Sequence, residues 1–118
     1  MYRKVFAGSS TPFERLSTLY IGAIRQARQG RQAAIEGNAD AAKQCAEKVD
    51  ALLRRLDVCL DFQAAPELCA NLSALYKHMG ARLLQAEATT SPAIFEEVIT
   101  ILEKLWDGFQ EAEKQGQS

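Results

Sequence analysis

Few side chains in this 118-residue chain are of kinds that do chemistry, and none is spaced for it. His78 is the single histidine, with no acidic or cysteine neighbour at a ligand spacing. Acid–base catalysis needs a positioned partner, and the di-iron sites of helical bundles need paired Glu-x-x-His motifs. The next position along its helical row is Arg82, so His78 is expected to face solvent. Cys45, Cys59 and Cys69 are odd in number and lack metal-type spacing. Cys45 and Cys59 sit ~21 Å apart along one helix, too far to bridge. All three read as small core residues. Glu96 and Glu97 point in different directions from one helix and read as solvated charges, while Asp50, Arg54 and Arg55 suit surface helix pairs. The glycines are isolated, with neither G-x-G-x-x-G nor a P-loop among them. No catalytic residue, cofactor site or metal site is visible, and the chain is not expected to be an enzyme.

What remains is helix periodicity and its punctuation. Thr11-Pro12-Phe13-Glu14 is a capping box with proline at the first helical position. Phe13, Leu16, Tyr20, Ala23, Ala27 and Ala34 then recur at helical spacing until Gly37-Asn38, where Asn38 can cap the next helix. Ala42, Cys45, Val49, Leu52, Leu56 and Cys59 make the second stripe. Asp61–Ala65 form a turn and Pro66 restarts the chain. Leu68, Leu72, Leu75, Met79, Leu83 and Ala86 make the third stripe. After Thr89-Thr90-Ser91-Pro92, Phe95, Val98, Leu102, Leu105, Phe109 and Ala112 make the fourth. Strand alternation and hairpin dipeptides are absent. The spacing predicts helices near 12–35, 39–61, 66–87 and 92–113. Short turns force antiparallel neighbours, so the fold class is all-α, an up-down-up-down four-helix bundle. Residues 1–10 form a short mobile N-terminal arm, 11–114 the bundle and 115–118 a frayed tail.

At 47% hydrophobic and 25% charged, with a net charge of −1, the chain is an ordinary soluble domain rather than a nucleic-acid binder. Residues 1–35 carry six Lys/Arg against Glu14, and the rest is acidic, which suits a basic first helix beside an acidic last one. No apolar run reaches the ~20 residues of a membrane span. Val5-Phe6-Ala7-Gly8 is too short for a signal core, so a cytoplasmic protein is expected.

The stripes are wider than a four-helix core requires. Ile21 and Ile24 form a second row on helix one. Helix four adds Ile94, Ile99, Ile101 and Trp106, and helix three adds Leu84 on a flank where Ser73 and Gly80 leave room. Such rows either thicken the core or bury a homodimer contact, or else they line a groove for a partner helix.

Two segments bear on that choice. Thr11-Pro12-x-Glu14 with Leu19-Tyr20-x-Gly22-Ala23, and Ala70-Asn71-Leu72-x-x-Leu75-Tyr76-x-x-Met79-x-x-Arg82-Leu83-x-x-Ala86, resemble the signature segments of the FliS family of flagellar secretion chaperones. Trp106 also corresponds, and the resemblance runs from about Ser10 to Lys114. The chain departs from the family's pattern at Ile21, Lys77-His78, Ala81 and Glu87.

The resemblance implies the antiparallel bundle already inferred, acting as a cytosolic chaperone. Its client would be the disordered C-terminal segment of flagellin, kept from premature polymerisation and delivered to the flagellar type III export gate. No nucleotide, metal or other cofactor is implied. The client-binding residues would be Leu19, Tyr20, Ile21, Ile24, Leu72, Tyr76, Met79, Gly80, Leu83 and Leu84. Tyr2, Val5 and Phe6 would form an N-terminal lid. A paralogous chaperone or adaptor for another export client and a homodimeric structural bundle are the alternatives.

Overall fold

The computed structural model describes residues 12–116. Residues 1–10 and the lid positions Tyr2, Val5 and Phe6 lie outside the described residues. Four helices account for nearly all of the rest: α1 (Pro12–Ile35), α2 (Ala39–Val58), α3 (Pro66–Thr89) and α4 (Pro92–Gly116). The described residues contain no strand. The helices form a ring in which each packs on two neighbours, α1 on α2 and α4, and α3 on α2 and α4. This is the expected antiparallel up-down-up-down bundle, 46 × 25 × 20 Å in extent.

Local chemistry sets each boundary. Gly37 takes φ 75°, a left-handed conformation glycine adopts without a Cβ penalty. Its N–H donates to the Ala34 carbonyl at 3.1 Å and the Asn38 N–H to the Ala33 carbonyl at 2.8 Å, a Schellman closure. Asn38 then caps α2 by accepting from the Ala41 N–H at 3.1 Å. The second helix ends at Val58, three residues earlier than the spacing suggests. There the Asp61 carboxylate accepts from the Gln63 and Ala64 N–H groups, and its carbonyl from Ala65. This Asx-type turn competes with helix. Pro66 and Pro92 stand at the first positions of α3 and α4. The fourth helix runs on through Gln115 and Gly116, into the segment read as frayed.

Packing explains where the bundle is tight and where it opens. Ala23, Ala27, Ala33 and Ala34 of α1 and Ala42, Ala46 and Val49 of α2 are buried small side chains, which suits the close approach of these two helices, the pair with the largest contact. The third and fourth helices touch least. Their seam is bridged from outside by Glu97, which accepts from His78 Nε2 at 2.8 Å and Arg82 Nε at 3.0 Å. His78 is therefore about half exposed but not free, and Glu97 is not a merely solvated charge. As expected, Asp50 pairs with Arg54 at 2.9 Å, and the basic α1 meets the acidic α4 through Arg28 and Glu103.

The core faces are rotated slightly from the sequence stripes. In α2, Leu53 is buried where Leu52 was expected; in α3, Cys69 and Tyr76 take the places of Leu68 and Leu75. A 3-4 stepping rule cannot separate adjacent residues on a helix of 3.6 per turn. Most of the apparent surplus on α4 is core: Ile94, Ile99 and Trp106 are all buried.

Gly30 is the position where α1 admits the Phe95 ring, since a Cβ there would overlap that fully buried side chain. Gly108 faces open space. Gly30→Ala is therefore expected to lose roughly 1–3 kcal/mol through overpacking, despite alanine's better helix propensity. Gly108→Ala should gain about 0.5–1 kcal/mol from propensity alone. Urea unfolding of the two variants checks the contrast; a shift of the same sign in both would show that the Phe95 contact does not control this seam.

Candidate functional site

Of the ten expected client-binding residues, Leu19, Tyr20, Ile24, Leu72, Tyr76, Met79 and Leu83 are buried. Ile21 and Leu84 are exposed, and with Gly80, Ile24 and Tyr76 they line two open grooves on opposite sides of the ring.

The larger groove, about 610 Å³, runs between α2 and α3. Leu53 and Tyr76 form its apolar floor, and Val58 and Leu84 its rims, 83% and 67% exposed. Two such rims on neighbouring helices, with no apolar cover among the described residues, are what a helix-in-groove receptor presents. Gly80 narrows nothing here; a Cβ at that position would reach only the end of the Asp50 carboxylate, at 3.0 Å. Asp50, Asp57 and Glu87 against Arg54 and Lys77 give the lining a slight acidic excess. The second groove, about 600 Å³, lies between α1 and α4. Ile21, Ile24 and Trp106 supply its apolar part, and Arg25, Arg28, Glu103 and Asp107 make it more polar. A shallower hollow bounded by Arg15, Leu19 and Cys59 shares Arg54 and Val58 with the first groove, so that apolar surface continues around the end of α2.

One internal contact fixes the floor of the first groove. The Tyr20 and Tyr76 hydroxyls meet at 2.7 Å, both side chains being buried. The Tyr20 ring stacks on Trp106 at 5.8 Å and tilts against Phe109 at 5.7 Å, and the Phe13 ring also stacks on Trp106, at 5.4 Å. Burial is the main cause that pushes both phenols far above the ordinary tyrosine range, with the charge-sensitive contact to Tyr76 adding to it for Tyr20. Both therefore stay protonated and hold one groove wall to the core. Sequence reasoning marked both tyrosines but could not see that they face each other, 56 positions apart. It missed Val58 and Asp57 altogether, because their value comes from a seam between helices and not from a stripe.

Among the described residues no group of three or more His, Cys, Asp or Glu is arranged to hold a metal ion. None of the helices is long and apolar enough to cross a membrane. Cys45, Cys59 and Cys69 form no disulfide among the described residues; Cys45 and Cys69 are buried, and burial raises both above the usual thiol value.

The family described as Flagellar protein FliS matches residues 2–116. The flagellar secretion chaperone FliS of Vibrio cholerae is 27% identical over 113 residues, covering 90% of this chain and 83% of that protein.

Removing one hydroxyl of the tyrosine pair tests the tie. Tyr20→Phe should cost about 1–3 kcal/mol, because the Tyr76 hydroxyl is left buried without a partner. Adding Tyr76→Phe should cost less than the two single losses combined. Because both folded-state values are raised, the pair's contribution is full below the usual tyrosine value of 10.0 and falls as pH rises above it. Urea unfolding from pH 8 to 11 should show that fall in the wild type and much less of it in the double variant.

Proposed function

The chain belongs to the FliS family of flagellar secretion chaperones, and on that premise we propose that it binds the disordered C-terminal segment of flagellin in its two grooves. Held there as amphipathic helix, the segment cannot polymerise in the cytosol, and the loaded complex is handed to the flagellar type III export gate. The observation that carries this reading is that each family-like segment contributes to one groove. Ile21 and Ile24 of α1 line one; Tyr76, Gly80 and Leu84 of α3 line the other. The client's ordering cost is offset by burying its own apolar stripe together with the exposed rims. The process is binding and release, requiring no nucleotide, metal or bond-making step.

The arm enters the same reading. Residues 1–11 precede Pro12, and the first turns of α1 lie beside Val58, where the hollow joins the larger groove. An eleven-residue segment spans roughly 35 Å when extended, enough to lay Tyr2, Val5 and Phe6 over that groove until client displaces them.

Two titrations by calorimetry, with a synthetic flagellin C-terminal segment, test this. Gly80→Leu should keep the fold, since leucine favours helix and displaces only a flexible carboxylate, yet weaken binding at least about tenfold by filling the floor. Unchanged affinity would remove the α2–α3 groove from the client site. Deleting residues 2–9 should tighten binding by ~5- to 150-fold, the ~1–3 kcal/mol a partly buried lid contributes. Equal or weaker binding without the arm would show that it does not compete. A folded wild type that binds no flagellin segment but dimerises through these surfaces would favour the structural-bundle reading.

A further inference from the structure

Asp57 is the groove residue whose position the fold itself does not explain. It lies in the last turn of α2, which ends at Val58. A carboxylate there opposes the helix dipole, whose negative end favours cations. Its Oδ1 is out of contact with solvent and has no hydrogen-bond donor among the described residues. The groove's other polar groups are engaged elsewhere or stand apart. The Tyr76 hydroxyl is bonded to Tyr20, Arg54 is bonded to Asp50, and Lys77 makes no ion pair with Asp57. Around it are Tyr76 and the two exposed apolar rims, Val58 and Leu84.

A wholly apolar helix seated here would strip the remaining water from the carboxylate and supply nothing in return, which opposes binding. A lysine or arginine on the flank of that helix reverses the sign. Its head forms a charge-assisted hydrogen bond with the carboxylate's other oxygen, Oδ2, which is not buried like Oδ1, and faces the negative end of α2, while its methylene stem lies along Val58. Resting on the client reading above, we infer that Asp57 is a specificity-determining residue of the α2–α3 groove, and that it selects an amphipathic helix carrying a basic side chain beside its apolar stripe. Apolar rims supply contact without distinguishing one stripe from another; the carboxylate rejects stripes that lack the cation.

The test uses the full-length chain and the synthetic flagellin C-terminal segment, with Asp57→Asn and Asp57→Leu on one side and each lysine or arginine of the segment changed singly to methionine on the other. Asp57→Asn removes an unfavourable charge from a helix end, so its melting temperature should be unchanged or higher. Its affinity for the segment should fall roughly 10- to 100-fold, the range for a charged hydrogen bond left half-made. One basic-to-methionine change should weaken wild-type binding by a similar factor and Asp57→Asn binding by less than about threefold, as coupled partners require. Equal or tighter binding by Asp57→Asn and Asp57→Leu would overturn the inference while leaving the client reading intact. A loss shared by no basic position of the segment would also overturn it. If the wild type does not bind the segment, both fall together.

Discussion

The hydroxyl contact between Tyr20 and Tyr76 is the constraint on which the remaining architecture turns. In a four-membered ring of helices, diagonal partners scarcely touch, and here α1 and α3 are diagonal. Two buried phenols cross that diagonal and satisfy each other at 2.7 Å. Among the described residues neither hydroxyl has another side-chain partner, and an unpaired hydroxyl in that position would carry its full desolvation cost. Only one register of α1 against α3 makes the bond. The Tyr20 ring, held between Trp106 and Phe109, extends the same register to α4. Three helices are thereby fixed by one side chain, and the fourth, α2, is fixed separately by its alanine-lined contact with α1.

That division of labour leaves the larger groove where it is. The second helix is drawn toward α1 by small residues, while α3 is held toward the core by Tyr76. Between them the seam widens at Gly80, which contributes no side chain to fill it. Tyr76 thus serves two surfaces at once: its hydroxyl anchors inward and its ring floors the groove. The opposite seam, between α1 and α4, is spanned by the Arg28–Glu103 pair and lined by further charges. The α3–α4 seam is held at its surface by Glu97, whose two partners keep its carboxyl below its ordinary value of 4.5, the His78 hydrogen bond first among the causes. This clasp is present above that value and is lost as acid protonates Glu97. Exposed ion pairs of this kind contribute little to stability, so they mark register more than they supply strength.

The elements were legible in the sequence because each boundary is local chemistry: proline at a first helical turn, glycine in a left-handed closure, asparagine at a cap. The core faces were legible only to within one position. Leu52 and Leu53, Leu68 and Cys69, or Leu75 and Tyr76 differ by 100° around the axis, and either member fits a 3-4 pattern. Which one turns inward is decided by the neighbouring helix. The wide apolar arc of α4 was visible, but its consumption was not: Trp106, Ile94 and Ile99 are all buried, where the sequence pattern alone left them as surplus. The family-like segments lie on helices that line the grooves, yet most of their apolar residues are core. The exposed rim at Val58 and the donorless carboxylate at Asp57 belong to no motif, since each acquires its meaning from the helix opposite.

The placement of the two grooves constrains any client that uses both. They occupy opposite seams of a ring whose cross-section is 25 × 20 Å. A chain leaving one groove must travel half of that perimeter to enter the other, a path of roughly 35 Å, or about ten residues in extended form. Under the proposed reading the client is therefore at least two short amphipathic helices joined by an extended link. A single long helix could fill one groove but not both. Each helix alone gains only the burial of a modest apolar strip, less the cost of ordering it. Once the first is seated, the second is confined near its groove at high effective concentration, so the pair binds far more tightly than either part. A segment that is disordered when free can follow this path around the bundle, whereas a prefolded helical hairpin, with its strips facing each other, cannot. The bundle's ring geometry thus favours an unfolded client independently of the sequence that client carries.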